Sequence, residues 1–354
     1  MAEVKKKGRL FDLPETKGSF QLTGIVNGVE KENFYKEIKT KSNKNMRMIS
    51  FGVNYQENST LYVNLQGMEQ ENVYFSKQAK NKGDKPETVK IPWADRFSYN
   101  REGFTLIGKN IAIGKKKDET GKIVNNKKVM TDFDACKEIN ENLKDGASVF
   151  IRGNINYSSF FDNNGNKKTS VKLVPNQISL CSDVDFNDDK YVQKNDFNQV
   201  IVFIKIDQEK ENDKPTGRFI VLAKIITYNN IEDAEFIIKD KDLANKFRKS
   251  LNPYNAIKVS GHMVSYTQTE TVIDEDNWGE EDAIEKVFAP AKREFVITGA
   301  KGSTIDRELY TEENIAEAMA KINQANKAEN DFGDNSDEWG ELTGMDIDDD
   351  SAWS

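Results

Sequence analysis

Between Ser148 and Phe160 the chain alternates apolar and polar positions, with Val149, Ile151, Ile155 and Tyr157 on one side and Phe150, Arg152, Asn154 and Asn156 on the other. A period of two marks a strand buried on one face. The run Asp162-Asn163-Asn164-Gly165-Asn166 supplies a turn, so Thr169 to Leu180 is expected to return as the hairpin partner, with Pro175 at a bulge or an edge. Upstream, Phe133, Ala135, Cys136, Ile139 and Leu143 fall at helical spacing over Asp132 to Leu143, and Asp145-Gly146 stops that helix. Ser19 to Val26, Met46 to Tyr55 and Thr60 to Gln66 are shorter alternating runs, with Phe51 in the apolar phase.

The second half repeats this order. Gln199 to Ile206, Arg218 to Tyr228 and Ala234 to Lys239 read as strands, Asp240 to Ser250 as a helix, and Ala256 to Tyr266 with Val287 to Gly299 as a closing pair. Val200, Val202, Ile220, Leu222, Ile257 and Val259 are its expected apolar face. Each half carries a glycine in mid-strand, Gly153 and Gly261, where a barrel strand bends or another backbone approaches. Three strands, a helix and a hairpin is the element order of an OB barrel, so the chain is predicted to be mainly β with minor α, built as two tandem OB folds.

The expected layout is a flexible N-terminal arm over 1–14, a first barrel over 15–183, a linker over 184–197, a second barrel over 198–305, a helix over 306–328 and a disordered acidic tail over 329–354. Residues 68–130 form an insertion holding Trp93, Phe97, Tyr99 and Phe104, and ending in a lysine-studded finger. In the C-terminal helix, capped by Thr311, the residues Ile315, Ala318, Met319 and Ile322 share one face.

Charge changes this picture more than composition does. The whole chain carries a net charge of -8. Residues 1–182 hold 31 Lys and Arg against 21 Asp and Glu, a net of +10. The next stretch, 183–328, holds 20 against 28, a net of -8, and 329–354 holds 10 acids and no base. A basic first half on an acidic chain implies an anionic partner, and nucleic acid is the commonest. Cys136 and Cys181 form no CxxC pair and His262 has no neighbouring ligand, so no disulfide framework, metal site or cofactor is expected. No apolar run reaches the roughly 20 residues that cross a bilayer, and the start lacks an apolar signal core, so a cytoplasmic protein without membrane contact is expected. Asp274, Asp276, Gly279 and Glu285 echo a calcium loop, but Trp278 occupies a ligand position, and no nucleophile or phosphate-loop motif is present, so no catalytic residue is assigned.

Proteins that hold single strands need cations for phosphates and flat rings on which any base can stack. If Leu61, Val63 and Leu65 are core, Tyr62 points outward; by the same parity Phe150, Arg152, Phe160 and Lys172 point outward from the closing hairpin. Arg47 and Lys168 join them as phosphate contacts, as do Lys115, Lys116, Lys117, Lys127 and Lys128 of the finger, with Trp93 either a stacking platform or part of the insertion core. In the tail, Trp339 and Trp353 among Asp346, Asp348, Asp349 and Asp350 suit docking into basic, apolar pockets of partner proteins.

The stretch Asp145 to Leu180, with Gly146, Val149, Ile151, Gly153, Phe160, Asp162 and Gly165, resembles the closing hairpin of the bacterial single-stranded DNA-binding protein family, and the acidic end MDIDDDSAWS is similar to that family's tail. The chain departs from the family in ending Ala352-Trp353-Ser354 and in carrying a second barrel and the insertion, as a divergent viral or mobile-element relative would. The resemblance implies a non-enzymatic protein of replication or recombination that coats single-stranded DNA and recruits partner proteins through its tail. The second barrel, with its acidic charge and few outward bases, is expected to serve homo-oligomer or partner contact instead. The alternatives are an RNA-binding tandem barrel and an acidic interaction scaffold without a nucleic-acid site.

Overall fold

The computed structural model describes residues 8–331 apart from 80, 82, 162–166, 267–268, 274–283 and 289–291. The expected turn at 162–166, most of the calcium-like stretch and the tail residues Trp339, Asp346, Asp348, Asp349, Asp350 and Trp353 lie outside the described residues.

In the N-terminal half the alternating runs form β1 (Gly18–Asn27), β2 (Tyr35–Lys39), β3 (Asn45–Gln56) and β4 (Ser59–Met68). The insertion adds β5 (Asn72–Lys77), β6 (Glu87–Pro92), β7 (Thr105–Leu106), β8 (Lys109–Lys117) and β9 (Ile123–Met130). Helix α1 (Asp132–Asn142) and the hairpin β10 (Ser148–Phe161) and β11 (Lys167–Leu180) complete it. Strands β1, β3, β4, β11 and β10 close on one another, with β1 meeting both β3 and β10. A parallel step, Leu173 against Val63, joins β11 to β4. This strand circuit is that of an OB barrel. Val53, Leu61, Val63, Val149, Ile151 and Leu173 fill it and are fully buried.

Thr131 caps α1 by accepting from Asp134 N–H at 3.1 Å. The helix buries Phe133, Ala135, Cys136 and Ile139 against the barrel, close enough that a Cβ on Gly67 would fall 2.1 Å from Phe133 N. Burial, with Asp132 nearby, pushes the Cys136 thiol up to about 12.

The second half consists of β12 (Asn195–Glu211), β13 (Lys214–Ile226), β14 (Ile231–Ile238), α2 (Lys241–Ser250), β15 (Ala256–Tyr266), β16 (Thr269–Ile273), β17 (Ile284–Phe288), β18 (Lys292–Asp306) and α3 (Glu312–Asp331). The circuit repeats: β12, β13, β14, β18 and β15 close, with β14 and β18 parallel at Ile237–Val296. The strand expected over Val287 to Gly299 divides between β17 and β18, and β17 pairs with β16 instead of the barrel. The interior packs Phe197, Phe236 and Phe295 together with centroids 5.2–6.1 Å apart. On β13 the inward residues are Phe219, Val221, Ala223 and Ile225, which corrects the expected phase of Ile220 and Leu222. The run Phe219 to Ala223 is apolar throughout, so alternation cannot choose its face.

The compact units also differ from the expected boundaries. One comprises Ser19–Asn156 and Lys172–Asn195; the other comprises Met1–Gly18, Tyr157–Val171 and Asp196–Ser354. The N-terminal segment is therefore no loose arm over its described part. Phe11 and Leu13 are buried with Val202, Ile226, Ile315, Ala318 and Ile322 in a second apolar cluster. Thr16 pins the segment, donating its N–H to Ile226 O at 2.9 Å and accepting from Ile226 N–H at 2.7 Å. Helix α3 starts at the expected cap, with Asn314 N–H donating to Thr311 Oγ1 at 3.2 Å. Met319, expected on its apolar face, stays 38% exposed. The outer end of the β10–β11 hairpin also belongs to this unit: Tyr157 packs 6.5 Å from Phe295, and Ser159 Oγ donates to Glu232 at 3.1 Å.

Both mid-strand glycines answer to close backbone approach. A Cβ on Gly153 would lie 2.0 Å from Val174 O, and one on Gly261 would lie 1.9 Å from Val296 O. Gly153→Ala should therefore lower stability by about 1–3 kcal/mol, read as a drop in the urea midpoint; an unchanged midpoint would refute the crowding. Because the thiolate is the nucleophile, iodoacetamide at pH 8 should modify Cys136 only after unfolding, which peptide mass spectrometry with and without urea would reveal.

Candidate nucleic-acid interface

Alternation on β4 buries Leu61, Val63 and Leu65 and turns Tyr62 outward, 38% exposed. The wall around it is made of small polar side chains. Asn27 Nδ2 donates to Asn54 Oδ1 at 2.5 Å, Thr60 Oγ1 donates to the same oxygen at 2.6 Å, and Asn64 Nδ2 donates to Ser50 Oγ at 2.8 Å. Gly52 sits directly across from Tyr62 on β3. The parallel register of Leu173 with Val63 sets Lys172 beside Tyr62 on the same outward face. The structure thus brings these two candidates together.

Strand β11 then changes partner. Its middle pairs with β4 through Leu173, and its later part pairs with β8 through Gln177, Ile178 and Ser179. Pro175, which has no N–H to give to a ladder, stands between the two pairings. The lysine finger is consequently the hairpin β8–β9, hung on β11 as an extension of the barrel wall. It holds seven lysines and two acids. Its base is tied down: Lys128 Nζ donates to both oxygens of Glu138 at 2.7 and 2.8 Å, and Lys109 Nζ donates to Asn176 at 2.9 Å. Asp118 Oδ1 orders the turn by accepting from Thr120 N–H, Thr120 Oγ1 and Lys122 N–H, which hold its carboxyl below the usual range. Lys115, Lys116, Lys117 and Lys127 remain exposed; Lys128 is half-buried and engaged by Glu138.

On β10, Arg152 is exposed and Phe150 half-buried, with Lys194 Nζ 5.8 Å from the Phe150 ring centroid. The bond from Cys181 N–H to Ser148 O, 3.0 Å, places this end of β10 beside the finger-bearing end of β11. Phe160, half-buried, and Lys168, exposed, fall in the other compact unit.

Two candidates are held in a clasp. Arg96 donates to both oxygens of Asp134 at 2.8 and 3.1 Å, and its guanidinium lies 4.2 Å from the rings of both Trp93 and Phe97. Trp93 meets Phe133 edge-on at 5.9 Å, and Arg47 covers the Phe133 ring at 3.8 Å while donating to Glu37 at 3.0 Å. The Tyr35 hydroxyl also donates to Glu37, and with Arg47 it draws that carboxyl below its ordinary range. Of the two readings of Trp93, this geometry fits the insertion core. It gives Arg47 the work of locking α1 to β3.

Sequence reasoning passed over Tyr74, Lys90 and Lys194. Tyr74 carries the same signal that found Tyr62, an aromatic in the outward phase between buried Val73 and Phe75. Among the described residues no group of three His, Cys, Asp or Glu could hold a metal ion.

Residues 78–335 match the family described as YorF. The chain belongs to the YorF family. No curated protein matches this YorF chain in sequence. Solved structures similar to it include the wild-type single-stranded DNA binding protein from Thermus aquaticus, at 9% identity and a TM-score of 0.38, covering 81% of this chain and 93% of that one. A deletion mutant of the same Thermus aquaticus protein gives 8% and 0.37, covering 81% and 94%. At that overlap the strand circuit itself carries the fold of the YorF chain.

Arg96→Ala would leave the largely buried Asp134 without its cation, so a loss of about 3 kcal/mol is expected. Chemical denaturation measures it, and a change within error would show that the clasp is ornamental.

Proposed function

We propose that this chain binds single-stranded DNA through its first barrel, without catalysing a reaction. The observation that carries the reading is the juxtaposition of Tyr62 and Lys172 on a barrel wall that continues, through β11, into a hairpin of exposed lysines. A ring stacks on any base, and each such stack is worth about 1–3 kcal/mol, so binding would tolerate sequence. The lysines neutralise phosphates and release counterions. Arg152 and Phe150 extend the contact on β10. The acidic residues 329–354, with Trp339 and Trp353, recruit partner proteins of replication or recombination.

Fluorescence titration with poly-dT across a salt series tests this. Salt-steep binding is expected, and absence of binding at low salt removes the proposal. Tyr62→Ala should weaken binding about tenfold. Replacing Lys115, Lys116 and Lys117 with Gln should reduce the slope of log K against log salt by about 2, at about 0.7 per phosphate contact. An rU competitor that displaces dT at equal concentration would turn the reading toward RNA.

A further inference from the structure

The inserted three-stranded sheet has one packed face and one bare face. Val73 and Phe75 are buried, and the Phe75 ring lies 4.7 Å from Tyr99. Alternation turns Tyr74 to the opposite face, where it is 46% exposed. Register sets Lys90 of β6 directly across from Tyr74. On the other side Ile107, 58% exposed, donates its N–H to Tyr74 O at 2.8 Å. The next row across the sheet is Thr88, Ser76 and Thr105. Ser76, Thr105 and Ile107 of this face line a cleft of about 640 Å³, together with Asn110 and Val129 from the base of the lysine hairpin.

A tyrosine and an isoleucine side by side in water contribute nothing to the packed core behind them, so their use lies in what covers them. Two apolar side chains set among hydroxyls and a lysine offer too little apolar area for an ordinary protein interface. They do match an unpaired polynucleotide: a ring for the base, an ammonium on the adjoining strand for the phosphate, and hydroxyls for the sugar-phosphate oxygens. The charge agrees, because the adjoining hairpin carries seven lysines against two acids, although those lysines lie beyond the residues that line the cleft. The acid at the end of β6, Glu87, already faces Arg101 at 3.7 Å.

We infer that the exposed face of β5–β6–β7 is a second strand-binding subsite. Tyr74 stacks a base, Lys90 holds the neighbouring phosphate, and a bound strand extends from the barrel onto the insertion. The inference rests on the single-strand reading above and deepens it.

The test uses the full chain carrying Tyr74→Ala with Lys90→Ala, both at exposed positions, after confirming an unchanged melting temperature. Affinity is measured for oligo-dT of about 8 nucleotides, within the footprint of one barrel, and of about 30 nucleotides. The long strand should bind about tenfold more weakly and the short strand as in wild type, while Tyr74→Phe with Lys90→Arg should restore the long-strand affinity. A 5-iododeoxyuridine strand should crosslink to Tyr74 under ultraviolet light. Wild-type affinity of the alanine variant for the long strand, with Tyr62→Ala still impaired, overturns the subsite alone. An equal loss on both strand lengths overturns it too, because the two faces would then be one site. If the wild-type chain binds neither strand, both this inference and the single-strand reading fall.

Discussion

Each barrel is closed by one parallel strand pair, β11 on β4 and β18 on β14, and everything functional in the first half hangs on the former. A parallel pairing cannot be made by a tight turn; it needs a long connection between its members. In the second barrel that connection is α2, β15 and the β16–β17 hairpin. In the first it is longer, and it carries the insertion, α1 and β10. Closure therefore brings residues from opposite ends of a long segment to neighbouring positions, Tyr62 beside Lys172.

The two barrels treat their outer walls differently. Around Tyr62 the first wall is hydroxyls and amides bonded to one another. Part of the second barrel's outer wall is apolar, and Val202 and Ile226 are covered by Phe11, Leu13 and the face of α3. At about 25 cal/mol per Å² of apolar surface removed from water, such a cover stabilises a small barrel. It also takes that patch out of use as a contact surface.

The insertion is held to the first barrel by two devices of different chemistry. One is a backbone ladder, in which β8 takes over from β4 as the partner of β11 at Pro175. The other is the run of ring and guanidinium contacts from Phe97 through Arg96, Trp93 and Phe133 to Arg47, with Asp134 and Glu37 neutralising its cations. Guanidinium planes suit this place because they stack on rings and bond carboxylates in the same orientation. Rigid attachment matters for a strand-binding surface, since a loosely tethered lysine hairpin would lose more freedom on binding.

The sequence by itself determined the element order of both barrels, the inward phase of Leu61, Val63, Val149 and Ile151, the outward turn of Tyr62, and the need for glycine at 153 and 261, where the structure then chose close backbone approach over a bend. All of these follow from a period of two or from the absence of a Cβ, which are local properties. It did not determine the phase of β13, where Phe219 to Ala223 is apolar throughout and only the surrounding core selects a face. The short strands β2, β6 and β7 were hidden because none of their residues is buried, and β5 because Val73, Tyr74 and Phe75 form an unbroken aromatic and apolar run. The burial of Phe11 and Leu13, the clasp on Arg47, and the partner switch of β11 belong to the tertiary structure alone. Each depends on groups tens to hundreds of residues apart, and no local pattern encodes which distant carboxylate, ring or strand edge will arrive.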